Sequence, residues 1–245
     1  VKIIKTFLAF LFALAAISFA VLVFSVKFPE KTAFGKSVKS VVIKYPFLVN
    51  TINLNQAGDW RYIYLKEKGP LKVRAVYVKA VTPNLEAGTW VSSMIQETLM
   101  RQVDYSSGVD VDIPINGLYS DDDLNEIHKK LIEKDSNTDL FIIYLSGYKE
   151  APSYLGVTLH ADAIFVFKKT IEELGENNDI TGRLEQSTVM HEWGHLLGLE
   201  HLNYEGCIMS SRVDVYDSRE LTEAEVPIEY CNKTLYELER IREVE

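Results

Sequence analysis

The segment TVMHEWGHLLGLEHLNYEGCIMSS, residues 188–211, constrains this chain more than any other stretch. It holds three of the chain's 5 histidines, His191, His195 and His201. On a helix, His191 and His195 are four residues apart and share a face. Their imidazoles can converge on one metal ion at about 2.0–2.1 Å. Glu192 lies off that face and suits a general base acting on a water better than a third ligand. If the helix continued, His201 would lie about 9 Å farther along the axis, out of reach of the same ion. Gly198 removes the conflict. Glycine accepts the left-handed conformation that ends a helix, so the chain can turn and bring His201 back. From ordinary residue usage, a chance match to H-E-x-x-H-x-x-G-x-x-H in a chain this long is about one in 10⁵. A helix with polar residues on its solvent face explains neither the glycine nor the clustering of histidines.

The rest of the chain divides in two by charge. Residues 1–80 carry 13 Lys and Arg against 3 acids, and residues 81–245 carry 13 against 32. The net charge of -9 argues against a nucleic-acid partner. Residues 6–26, TFLAFLFALAAISFAVLVFSV, contain no charge and no polar stripe. At 1.5 Å per residue they match a bilayer core of about 30 Å. The expectation is a single-pass membrane anchor. A cleaved signal peptide is the alternative, with Lys2 and Lys5 as its charged region and Ser18–Ala20 as its cleavage site. Lys27, Lys31, Lys36, Lys39 and Lys44 outnumber Lys2 and Lys5, which by the positive-inside rule favours a cytoplasmic catalytic domain. The signal-like start and the two cysteines, which permit one disulfide, favour the opposite side. We expect the catalytic domain outside the cytoplasm. The expected division is an anchor or signal segment over 1–26, a basic stalk over 27–70, and a catalytic domain over 71–245. The stalk's first part, 27–58, reads as partly helical at best and suits anionic lipid headgroups.

From residue 71 the pattern alternates between strand and helix. Residues 72–81, 109–115 and 139–146 read as strands, and 154–167 as one bent strand or two short ones. Residues 85–103, 120–135, 184–199 and 232–243 read as helices. This order argues an α/β layer with a mostly parallel sheet.

The 188–211 segment resembles the metzincins, zinc-dependent peptidases with this ligand motif and a downstream methionine turn. Met209, in CIMSS, matches the turn methionine that underlies the metal in that family. Ser211 stands where some metzincins place a tyrosine ligand, so that ligand is not implied. The spacing of His201, Cys207 and Met209 is similar to that of archaemetzincins. Those proteins also have a cysteine directly after the third histidine, here Leu202, and a later Cys-x-x-Cys pair, where Cys231 stands alone. The resemblance therefore implies one catalytic zinc and does not carry over a structural one. With three histidines committed, a second four-ligand site is hard to build. Cys207 and Cys231 are expected to pair in a disulfide, the alternative being two unpaired thiols. The implied fold is a zincin-like twisted mixed sheet packed on helices, with the active-site helix, a small C-terminal subdomain, and the N-terminal anchor ahead. The implied function is hydrolysis of a peptide or protein substrate by a metal-activated water, with Glu192 as base. A membrane-anchored zinc-containing binding protein without turnover is the alternative. The intact Glu192 counts against it, because metal binding alone does not require that carboxylate.

Other features carry less. The acids of SDDD, residues 120–123, read as capping and dipole matching at a helix start rather than calcium ligands. His128 and His160 read as surface or partly buried histidines. GVTLHADAIFVF resembles the metzincin edge strand that pairs with extended substrate, and a plain sheet strand is equally consistent. Asn232-Lys233-Thr234 is a glycosylation sequon of a kind common by chance.

Overall fold

The computed structural model describes residues 2–79, 81–110, 112–175, 177–204, 206–211, 213, 221–222 and 225–243. Ala80 and Val111, which the sequence reading assigns to strands, lie outside them. The chain forms two compact units, 1–54 and 55–245.

In the first unit, the uncharged run lies within helix α1 (Lys2–Lys27). From Thr6 to Phe24 its described side chains are exposed apart from the half-buried Val23, with Phe12 77%, Ile17 64% and Phe19 53% exposed, whereas Ser25 and Val26 are buried. Thr6–Lys27 has a mean hydropathy of 2.8 and is long and apolar enough to cross a membrane, a measure that a signal sequence also meets. Two short helices follow, α2 (Gly35–Val42) and α3 (Pro46–Ile52), the second starting on a proline that suits a first helical turn.

The second unit opens at Asn55, ahead of the boundary at residue 71 suggested by the sequence. Helix α4 (Arg61–Lys66) shows why. Its Tyr64 is buried, donates from its hydroxyl to Ala161 O at 2.8 Å, and sets its ring edge-on to Trp193 with centroids 5.0 Å apart. No local periodicity announces this segment, because its partners lie about a hundred residues away in sequence.

The sheet has the order β2-β1-β3-β5-β4. Strands β1 (Leu71–Tyr77), β2 (Val103–Val109), β3 (Leu140–Leu145) and β5 (Ala163–Phe167) run parallel, and β4 (Gly156–His160) is antiparallel to β5. Buried on both faces, β3 (LFIIYL) and β5 (AIFVF) are the continuous apolar runs expected of central parallel strands. Helix α5 (Leu85–Leu99) joins β1 to β2, and α6 (Asp121–Lys134) joins β2 to β3. Right-handed crossovers put these helices on opposite faces of the sheet. Ser120 and Asp123 close a capping box on α6, the capping role expected of the SDDD segment.

One strand is displaced from its sequence assignment. The expected strand 109–115 is not formed by the described residues of that stretch, and the strand beside β1 is 103–109. Two features hid it. VDYSSGV lies at the sheet edge and is too polar to read as a strand. Helix α5 also stops early, at Met100 with φ 55, without the glycine that usually marks such a stop. Beyond β2, Asp110 N donates to Tyr77 O at 3.0 Å, and Pro114 suits a chain leaving the sheet.

After β5 come α7 (Lys168–Leu174) and the long α8 (Asn178–Leu196), capped by Asn177. Almost all of α8 from Leu184 to Leu196 is buried. Its Glu185 accepts from Lys168 Nζ at 2.8 Å and from the backbone N–H of Asn84 at 3.0 Å, inside the core. Burial pushes the Glu185 carboxyl above its ordinary range, against the pull of Lys168. The pair fixes α8 against the starts of α5 and α7. The chain then passes below α8 over 226–230 and ends in α9 (Asn232–Glu243).

Candidate metal centre

Helix α8 places His191 and His195 one turn apart and then stops. Gly198 has φ 77. Gly198 N donates to His195 O at 2.9 Å, and Leu199 N donates to Gly194 O at 2.9 Å. These two bonds form a Schellman termination. The turn is approached closely by the start of α4 and by the segment before it. A Cβ on Gly58 would lie 3.2 Å from Gly198 Cα, and one on Gly198 would lie 2.7 Å from Arg61 Nη1. Past the turn, Leu202 N donates to Met209 O at 2.7 Å, tying the strand of chain that carries His201 to the methionine turn.

The result is a triangle of imidazole nitrogens. Nε2 of His191 lies 3.0 Å from Nε2 of His195 and 3.1 Å from Nε2 of His201, and the third side is 3.1 Å. Among the described residues, these histidines are the one group of three whose ligand atoms all lie within 4.8 Å of one another. The tautomers follow from the other ring nitrogens. His191 Nδ1 lies 2.6 Å from Ile208 O, and His195 Nδ1 lies 3.0 Å from Leu199 O. A carbonyl only accepts, so both Nδ1 atoms carry the proton and both Nε2 atoms present lone pairs. Two lone pairs facing at 3.0 Å repel unless a cation lies between them. Tetrahedral bonds of about 2.0–2.1 Å need nitrogens about 3.4 Å apart, close to the spacing present. The donor set therefore fits zinc.

Burial falls across the triangle: His191 is buried, His195 half-buried and His201 exposed. The site thus opens on the His201 side. Glu192 is 3% exposed and accepts at Oε2 from the Thr158 hydroxyl at 2.7 Å. Met209 is fully buried. Its thioether packs on Gly194, where any side chain would collide with the sulfur. Gly194 was not singled out by sequence reasoning. Its signal was present, since a glycine inside a helix costs about 1 kcal/mol against alanine and asks for a packing reason. Thr158 and the two carbonyl acceptors gave no such signal, because they reach the site through folding alone.

Cys207 and Cys231 are bonded in a disulfide, with Cα atoms 5.1 Å apart. It ties the methionine turn to the start of α9. Next to it, Ile208 N donates to Glu229 O at 3.2 Å, and Tyr230 donates from its hydroxyl to Met190 O at 2.7 Å. The methionine turn is thereby linked through residues 229–231 to α8 and to the start of α9.

His128 and His160 lie outside the triangle. His128 Nε2 contacts Asp162 Oδ1 at 2.7 Å, and the His160 ring stacks on His128 with centroids 3.8 Å apart. Burial pushes the His160 imidazole down to about 4, and the His128 charge adds to the effect. A histidine depressed in the folded state gives stability that is full above its unfolded value near 6.5 and is lost as pH falls toward 4. After discounting for the ring's partial exposure, this loss is about 1–2 kcal/mol. His160→Gln is expected to flatten this part of the acid-unfolding curve. An unchanged slope between about pH 6.5 and 4 in denaturant titrations refutes the assignment.

His201→Ala is expected to lower zinc affinity about 100-fold, at or above the loss caused by removing an outer partner of a ligand. Parent-like zinc content after dialysis against a graded chelator would show that His201 is no ligand.

Comparison with known proteins adds a family. A model of peptidase family M54 matches residues 93–240. The archaemetzincin of Methanopyrus kandleri superposes with a TM-score of 0.52 at 17% identity, covering 72% of this chain and 98% of its own. A zinc-dependent peptidase from Methanocorpusculum labreanum gives 0.47 at 17% identity, covering 68% of this chain and 99% of its own. No sequence among curated proteins matches.

Proposed function

The chain belongs to peptidase family M54 and is a zinc metallopeptidase near the archaemetzincins, and from that premise we propose that His191, His195 and His201 hold a single catalytic zinc while Glu192 is the general base of peptide-bond hydrolysis. The observation that carries this reading is the set of three Nε2 atoms 3.0–3.1 Å apart, two of them forced by Ile208 O and Leu199 O to face inward as lone pairs. When bound, zinc supplies Lewis acidity, which polarises a scissile carbonyl and lowers the pKa of water to about 7. The chain's own groups do the rest. Ile208 and Leu199 hold the imidazoles in one tautomer and one orientation. The Glu192 carboxylate takes a proton from the attacking water and passes it to the leaving amine. Met209 and Gly194 pack under the ligands and keep their spacing. Water reaches the site from the exposed His201 side.

The same reading makes the protein a single-pass membrane enzyme anchored through residues 6–26, with its catalytic unit outside the cytoplasm. The apolar length of α1 and the disulfide support this. The test of function is zinc-loaded full-length protein in detergent, incubated with a diverse peptide library and read by mass spectrometry. Cleavage abolished by a chelator and restored by zinc supports the proposal. Zinc bound without cleavage of any peptide favours a zinc-containing binding protein without turnover.

A further inference from the structure

Strand β4 ends the sheet, and its pairing with β5 slips once. Gly156 faces Val166 and Val157 faces Phe165, but His160 faces Ala163. Between Val157 and His160, β4 therefore holds one residue more than β5, the mark of a β-bulge. Thr158 lies in that interval. Bulges on edge strands re-aim a side chain, and here the Thr158 hydroxyl donates to Glu192 Oε2 at 2.7 Å. The strand can come this close because residue 156 is glycine. A Cβ there would stand 2.7 Å from Thr188 Cγ2 and 3.0 Å from Glu192 Cγ. One device thus brings the strand onto the glutamate, and a second turns a hydroxyl toward its carboxylate.

The terminal torsion of a glutamate is soft, so a carboxylate on a well-held stem can still rotate. A hydrogen bond to one oxygen removes that freedom. We propose that Thr158 is a positioning residue for Glu192: its hydroxyl holds Oε2 and so fixes the orientation of the carboxylate that exchanges the proton. Thr158 acts through Glu192 and does not touch the reacting atoms. This rests on Glu192 being the general base. Strand propensity alone does not account for a threonine here, because valine serves a half-buried strand equally well. Valine has no hydroxyl to donate to the carboxylate. A misplacement of about 1 Å at a reacting group can cost about 10²-fold in rate, which sets the scale of the effect.

The experiment compares T158V, which keeps the shape and loses the donor, with T158S, which keeps the donor. Both are measured as zinc-loaded full-length protein in detergent, on a peptide taken from the library screen. T158V is expected to retain one zinc per chain and the parent KM, with kcat lower by about 10–100-fold. T158S recovers most of that loss, and T158V adds no further loss to Glu192→Gln. Parental kcat in T158V overturns the proposal. So does an equal fall in T158V and T158S, which would point to packing, and so does a change confined to KM. If the parent cleaves no peptide, the general-base reading has failed by itself. Crystal structures of zinc-loaded parent and T158V then decide the positioning. An unmoved Glu192 carboxylate in T158V overturns it, and a reoriented one supports it.

Discussion

Glu192→Gln is expected to leave zinc content at one ion per chain while lowering peptide hydrolysis by about 10²–10⁴-fold, the usual contribution of a positioned general base. The argument is one of chemistry without shape change. Glutamine fills the same space in a position only 3% exposed, so α8 and its histidines stay in place. The amide oxygen can still accept from the Thr158 hydroxyl, as Glu192 Oε2 does at 2.7 Å. What is lost is the ability to take a proton from water and return it to the leaving amine. Zinc content by atomic absorption and cleavage of a library-derived peptide are measured on the same preparation. Activity within about tenfold of the parent would remove Glu192 from the mechanism. Loss of zinc together with activity would mean that the carboxylate supports the ligands instead.

The convergence of His191, His195 and His201 is legible in the sequence because its rules are local. Two histidines four apart need only a helix, and Gly198 needs only a left-handed turn, seen at φ 77. The continuous apolar run of β3 is legible for the same reason, and the 154–167 stretch, read as one bent strand or two short ones, forms the two short strands β4 and β5. The features that sequence reasoning misses depend on pairing across the fold. Strand β2 is polar because it is an edge, and its neighbour α5 ends on a left-handed methionine instead of a glycine. The segment from Asn55 to Lys66 looks like featureless stalk, yet Gly58 and Arg61 close against the Gly198 turn. Thr158 becomes visible only once the register of β4 against β5 is known. A pattern within one element can be read from sequence, and a contact that two elements make only after docking cannot.

Replacing both cysteines, Cys207→Ala with Cys231→Ala, is expected to cost about 3–4 kcal/mol of folding stability and to weaken zinc binding as well. The sequence separation is 24. Chain-entropy reasoning assigns a loop of that size about 3.5 kcal/mol. The second effect follows from what the bridge holds. Cys207 precedes Ile208, whose carbonyl fixes the His191 tautomer at 2.6 Å. Met209 follows, packed on Gly194, which lies between His191 and His195 in the chain. Slackening this turn therefore loosens a ligand and the floor beneath it, and losses of this kind cost about 10–100-fold in metal affinity. The bridge also bears on the number of metal ions. Leu202 stands where archaemetzincins place a cysteine, and its backbone N–H pairs with Met209 O at 2.7 Å. Both sulfurs that could serve a structural zinc are bonded to each other. One zinc per native chain is the expected result, with the disulfide rather than a second metal fastening the methionine turn to α9. Zinc quantification together with a thiol count on denatured protein from its native compartment decides both points. Two ions per chain, or two free thiols, would overturn the exchange of metal for disulfide and remove the main reason for placing the catalytic unit outside the cytoplasm.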